Sequence, residues 1–218
     1  MTKLNKTKKS SDPSFKKNLR SLKKKYPDAD CALEHSNAFE LLIATILSAQ
    51  CTDERVNKVT PHLFKRWPLP EDLAQAPVEE IEGLIRSVNF YKTKAKNLKS
   101  CATDLVEIYK GQVPQEMEKL IELAGVGRKT ANVVLGNAFQ IASGIVVDTH
   151  VGRLSQRLGW TKKKSAVDIE QDLLKIVPKV DWILISHLLI SHGRNLCTAR
   201  SPKCEDCFLF DQCPKKGV

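Results

Sequence analysis

Three features of this chain combine residue types and spacings that can do chemistry: a lysine directly after a Gly-x-Gly turn, an aspartate at the head of a helical pattern, and four crowded cysteines. The first lies in Leu123-Ala124-Gly125-Val126-Gly127-Arg128-Lys129-Thr130, which reads as helix, tight hairpin, helix. Two glycines about one residue permit positive φ where the first helix ends, and they remove side chains so that backbone N–H groups can approach an anion. With the positive N-terminus of the next helix behind them, Gly125, Val126, Gly127, Arg128 and Thr130 are expected to cradle a DNA phosphate. Lys129 falls in the first helical turn, where the macrodipole and Arg128 both disfavour a cation and favour the free amine that a nucleophile needs. Such an amine can attack C1′ of a sugar, expel the base and form a Schiff base with the opened ring. A plain helix end, with Lys129 only touching a phosphate, accounts for the same residues.

Asp148, in Val147-Asp148-Thr149-His150, precedes a helical pattern and suits its N-cap. A carboxylate there can also activate the lysine and stabilise positive charge on the sugar as the base departs. For both roles to hold, Asp148 and Lys129 must meet across a cleft between lobes. His150 is expected to be structural or to contact a phosphate.

Cys197, Cys204, Cys207 and Cys213 crowd into one short loop, whereas Cys31, Cys51 and Cys101 stand apart. An odd count with one tight cluster is a metal site rather than a disulfide framework. Four thiolates suit either zinc or a 4Fe-4S cluster. The gaps are not those of paired CxxC knuckles, which favours iron. The expected duty is to pin a basic loop carrying Arg194, Arg200 and Lys203 against DNA. The three isolated cysteines are expected to be buried apolar fillers.

Helices must position all of this, since the apolar period is helical and no alternating run bounded by hairpin signals suggests a sheet. One helix starts after a Ser36-Asn37 cap with Phe39, Leu42, Ile43, Ile46 and Leu47 on one face; a second starts at an Asp53 cap and ends near Trp67, before Pro68 and Pro70. Further segments cover about Glu80 to Val88, Thr93 to Tyr109, Met117 to Leu123, Arg128 to Phe139, Thr149 to Leu158, Ala166 to Ile176 and Asp181 to Ser191. The expectation is an all-α fold of about ten helices, with Ile141 to Val147 a buried linker between lobes.

The 218 residues carry a formal charge of +10, which raises encounter rates with polyanions and adds a salt-sensitive, sequence-independent affinity. No apolar run approaches the roughly 20 residues of a membrane span. The basic stretch from Met1 to Lys25 lacks the apolar core of a secretory signal, and its single arginine, Arg20, does not make a mitochondrial presequence. A cytoplasmic, nucleoid-associated monomer bound to double-stranded DNA is expected.

Four signatures in order, Leu47-Ser48-Ala49-Gln50 with Thr52-Asp53, the hairpin with Lys129, Val147-Asp148-Thr149-His150, and the four-cysteine loop, resemble the endonuclease III family of helix-hairpin-helix DNA glycosylases. The likeness spans about residues 15–214. It implies two helical lobes flanking a DNA-binding cleft: a six-helix barrel at 31–142 with the hairpin, and a lobe of 1–30 plus 143–218 with a C-terminal 4Fe-4S loop at 197–213. It implies a bifunctional glycosylase and AP lyase with Lys129 as nucleophile and Asp148 as acidic partner. The enzyme would excise oxidised pyrimidines such as thymine glycol and cleave 3′ to the abasic site by β-elimination. The damaged nucleotide must be flipped out to be reached. By the same resemblance Gln50 fills the gap it leaves and Phe90 is a wedge. The family more often carries an aliphatic residue at position 90 and a proline at position 124. Two other readings stand beside this one: a monofunctional mismatch glycosylase that uses water, against which Lys129 and the short stretch after Cys213 count, and a noncatalytic module that binds DNA structures.

Overall fold

The computed structural model describes residues 13–218, and every regular element among them is helical. The first twelve residues, and with them part of the basic stretch, lie outside the described residues. The chain divides into two compact units. One is Cys31–Ser143; the other joins the described residues up to Asp30 to Gly144–Val218.

The Cys31–Ser143 unit is built around α2 (Ala38–Ser48). Asn37 caps α2 by accepting from the Glu40 amide, while the Glu40 carboxylate accepts from the Ser36 amide and hydroxyl, so donors left over at the helix start are satisfied reciprocally. The sequence suggests one apolar face for α2, but every residue from Phe39 to Leu47 except Glu40 is buried, as expected of a helix surrounded by others. Around it lie α3 (Asp53–Arg66), α4 (Pro70–Gln75), α5 (Val78–Leu84), α6 (Tyr91–Tyr109), α7 (Met117–Leu120) and α8 (Arg128–Phe139). α2 packs on α3, α6 and α8, and α4 packs along α6. The α3 cap is Thr52, whose side chain accepts from the Arg55 amide; Asp53, the expected cap, is the first helical residue, where its charge still favours the macrodipole. Pro70 starts α4 rather than merely ending what precedes it, because proline lacks only an N–H that a first-turn residue would leave unpaired.

In the other unit, α1 (Pro13–Lys25) turns Phe15, Leu19 and Leu22 into a core shared with Val151, Leu154, Leu173, Ile185 and Leu188. α1 therefore converts the end of the basic stretch into structure: apolar residues at helical spacing are buried while the lysines between them face outward. The unit also contains α9 (Thr149–Arg157), α10 (Ala166–Ile176) and α11 (Trp182–Asn195), with α11 packed on α1 and α9. Ile141 to Val147 forms no strand: Ile141 packs on the first core, and Ile145 and Val147 lie in the second. Among the described residues no helix is long and apolar enough to cross a membrane.

Candidate active site and metal centre

α7 ends at Leu120, a turn earlier than its apolar pattern suggests, and two backbone bonds then wind the chain back: Leu123 N–H to Leu120 O and Val126 N–H to Leu123 O. Gly125 makes the reversal at φ +79°, and a Cβ there would lie 3.1 Å from the Asn97 side chain and 3.2 Å from Ile46. Gly125→Ala is therefore expected to lower stability by about 2 kcal/mol and to weaken DNA binding, to be checked by thermal melting and duplex affinity. Gly127 does a different job. Its φ is −94°, open to any residue, but a Cβ on it would meet nothing within 4 Å, so the backbone here faces open space at the N-cap of α8. No side chain caps α8, and amides of a helix's first turn have no intrahelical acceptor, so its N-terminus suits an anion.

Val126 departs from the expected cradle: its side chain is buried in the core and its N–H is spent on Leu123 O. Arg128 and Lys129 are exposed in the first turn of α8, and Thr130 is half-buried.

Gln50 and Phe90 are exposed residues on neighbouring tips of the same unit, and both adopt left-handed backbone conformations, at φ 54° and 58°. For non-glycine residues that is strained, and strain persists only where surroundings enforce it. Phe90 is 64% exposed, so it is no core aromatic. Lys94, only 6% exposed, donates from Nζ to the carbonyls of Leu47 and Ala49 at 2.8 and 2.6 Å, a cation at the C-terminal end of α2. Burial lowers its pKa, with Cys51 opposing. Asn89 donates from Nδ2 to the Gln50 carbonyl at 2.7 Å.

In the other unit Asp148 is the N-cap of α9, its Oδ1 accepting from the Val151 amide at 2.7 Å, and it is half-buried. His150 Nδ1 lies 3.2 Å from Arg153 Nη2, and the ring packs so tightly on α11 that a Cβ at Gly193 would come within 2.6 Å of it. Arg153 also donates to the carbonyls of Gly193 and Cys197. Burial, then the nearby Arg157, lowers its pKa. Arg157, 7% exposed, donates to Cys197 Sγ at 3.3 Å and to the carbonyls of Thr198 and Ala199. The helix that begins at Asp148 thus ends by holding the cysteine loop.

All four clustered cysteines line one cavity together with Arg157 and His192. Four thiols lining one cavity are the donor set that a 4Fe-4S cluster takes, one thiolate per iron. Burial, with the neighbouring cysteines adding to it, raises the thiols of Cys207 and Cys213. Backbone amides of Leu209 and Lys215 already point at Cys207 and Cys213 Sγ, both at 3.4 Å. His192 Nε2 lies 3.6 Å from Cys207 Sγ, and its Nδ1 lies 3.1 Å from the Tyr26 hydroxyl. Burial pushes the imidazole down to about 4, and burial followed by Cys207 and Cys197 pushes Tyr26 up to about 12. A neutral ring that accepts the tyrosine proton at Nδ1 has its Nε2–H left to donate toward the Cys207 sulfur.

The family model for HhH-GPD superfamily base excision DNA repair proteins matches residues 43–179, and that for the iron–sulfur binding domain of endonuclease III matches residues 197–213. Endonuclease III of Synechocystis sp. is 54% identical over 193 residues, covering 88% of each chain. The chain belongs to the endonuclease III family. Endonuclease III of Bacillus subtilis is 47% identical over 200 residues, covering 88% of this chain and 91% of its own. A solved structure of a trapped endonuclease III–DNA covalent intermediate, an estranged-adenine complex, superposes with a TM-score of 0.88 at 45% identity, covering 93% of this chain and 95% of that one.

As a member of the endonuclease III family, the protein is a DNA glycosylase with AP lyase activity in base excision repair; it binds DNA and carries a 4Fe-4S cluster. Asn89, Lys94, Arg153, Arg157, Tyr26 and His192 were missed in the sequence. Only Arg153 and Arg157 left a local trace, as two cations one helical turn apart among buried residues. Of the three isolated cysteines, all expected to be buried apolar fillers, only Cys101 is fully buried; Cys31 and Cys51 pack partly exposed against the core.

Proposed function

We propose that Lys129 is the nucleophile and Asp148 its acidic partner, acting on oxidised or ring-saturated pyrimidines in duplex DNA. Lys129 Nζ bonds to C1′ as the glycosidic C1′–N bond breaks and the base leaves with its electron pair. Opening of the sugar ring gives a Schiff base between C1′ and Nζ. Loss of a C2′ proton then expels the 3′-phosphate as the C3′–O bond breaks, and water frees the lysine. Asp148 assists the proton transfers and balances the cationic sugar. Arg128, Thr130 and the amides after Val126 grip the phosphate, with His150 supporting, while Gln50 and Phe90 enter the stack beside the extruded nucleotide. The working form is a cytoplasmic monomer, and its association with the nucleoid is supported by the +10 charge.

The observation that carries this proposal is an exposed lysine in the first turn of an uncapped helix, directly after a hairpin whose Gly127 lies open. Borohydride reduces an imine to a stable amine, so the wild-type protein should be trapped on both thymine-glycol and abasic duplexes. Cleavage without any trapped adduct would replace the lysine mechanism with the water-using one.

Cys197, Cys204, Cys207 and Cys213 are proposed as the ligands of the cluster, which when bound fixes the loop bearing Arg194, Arg200 and Lys203. Aerobically purified protein should be brown, with roughly four irons and four sulfides per chain. Cys204→Ser should reduce both contents and lower the melting temperature. Iron and sulfide contents in Cys204→Ser equal to those of the wild type would contradict the ligand assignment.

A further inference from the structure

The turn that carries Gln50 is held by far more than a surface glutamine requires. Ser48 O accepts from the Cys51 amide at 3.0 Å, Leu47 O and Ala49 O both accept from Lys94 Nζ, and Gln50 O accepts from Asn89 Nδ2. Every carbonyl from Leu47 to Gln50 is thus fixed within the unit, and the Gln50 side chain is left exposed. The donors also define the neighbouring tip. Asn89 directly precedes Phe90, and the Lys94 amide donates to Phe90 O at 3.0 Å, closing the first turn of α6. Lys94 therefore holds one tip by its backbone and the other by its side chain.

A left-handed glutamine is an unfavourable conformer that a free loop would abandon. An enzyme gains from keeping it, because a side chain already in place when the base leaves the stack spends no binding energy on becoming ordered. A lysine buried for no purpose other than ending a helix would be a costly choice, since glycine or solvent could do the same.

We infer that Asn89 and Lys94 are positioning residues that lock the Leu47-Ser48-Ala49-Gln50 turn, presenting Gln50 ready-formed to the gap left by an extruded nucleotide. This rests on the assignment of Gln50 to that gap, and the two can be separated.

The test measures affinity for a duplex holding a tetrahydrofuran abasic analogue and for the same duplex undamaged, alongside melting temperature. Gln50→Ala should weaken binding to the abasic duplex about tenfold and leave the undamaged duplex unchanged. Asn89→Ala removes an exposed side chain, so the fold should melt as before. It should weaken abasic binding about fivefold, the worth of one hydrogen bond. The double variant should be no weaker than Gln50→Ala alone, because a displaced glutamine and a deleted one fail in the same way. Lys94→Met should show the same selective loss together with a lower melting temperature. If Gln50→Ala is selective but Asn89→Ala has no effect, or if the two losses multiply in the double variant, the lock is refuted while the role of Gln50 stands. If Gln50→Ala itself binds both duplexes like wild type, the gap assignment fails and the inference goes with it.

Discussion

Lys129→Gln should bind an abasic duplex nearly as well as the wild type, form no adduct with borohydride, and cleave the strand at least ~10³-fold more slowly, a barrier increase of about 4 kcal/mol. Glutamine keeps most of the length and polarity of lysine, but its amide nitrogen is conjugated with the carbonyl and cannot form an imine. Little stability should be lost, because Lys129 is exposed at a helix start and surface replacements of this kind usually shift stability by under about 0.5 kcal/mol. Binding should survive because the backbone proposed to hold the phosphate is unchanged, with Gly127 open and no side chain capping α8. Taken together, these three measurements separate a nucleophile from a phosphate contact: a contact would lose affinity and keep its chemistry. An adduct formed by the variant as readily as by the wild type would move the nucleophile to another residue.

The hairpin could be read in the sequence because its chemistry is local. Gly125 must turn and Gly127 must stay bare within a few residues of Lys129, and both demands are written into residue type. The bounds of α8 and α10 were readable for the same reason, since periodicity and punctuation agree there. What escaped is non-local. Lys94 reads as one lysine among several on α6, and only the fold brings its Nζ to the end of α2. Asn89 likewise reaches Gln50 from a distant part of the chain. α4 was hidden by Pro70, which signals a stop when read forward and a start when read as the first helical residue. The cradle was overcounted at Val126 because sequence shows an amide at every position but not which amides the turn itself consumes.

Asp148 offers the second large effect, and it is one where two duties can be pulled apart by a single atom. Its carboxylate caps α9 through the Val151 amide, and asparagine caps helices about equally well through the same oxygen. Asp148→Asn should therefore cost under about 1 kcal/mol of stability, mainly the lost attraction between charge and helix dipole. Turnover should nevertheless fall about 10² to 10⁴-fold, because an amide can neither accept a proton nor balance a cationic sugar. Asp148→Ala supplies the contrast: it should lose the same catalysis and in addition about 1 kcal/mol of cap stability. If capping were the only duty, the asparagine variant would cleave at the wild-type rate and only the alanine variant would suffer, in proportion to its lower melting temperature. The partnership with Lys129 makes a sharper demand. In a Lys129→Gln background Asp148→Asn should slow residual cleavage by less than it does in the wild type, since the proton acceptor has no amine to serve and only the charge balance at the sugar is left to lose. Full additivity of the two losses would mean that Asp148 works on the sugar independently of the lysine.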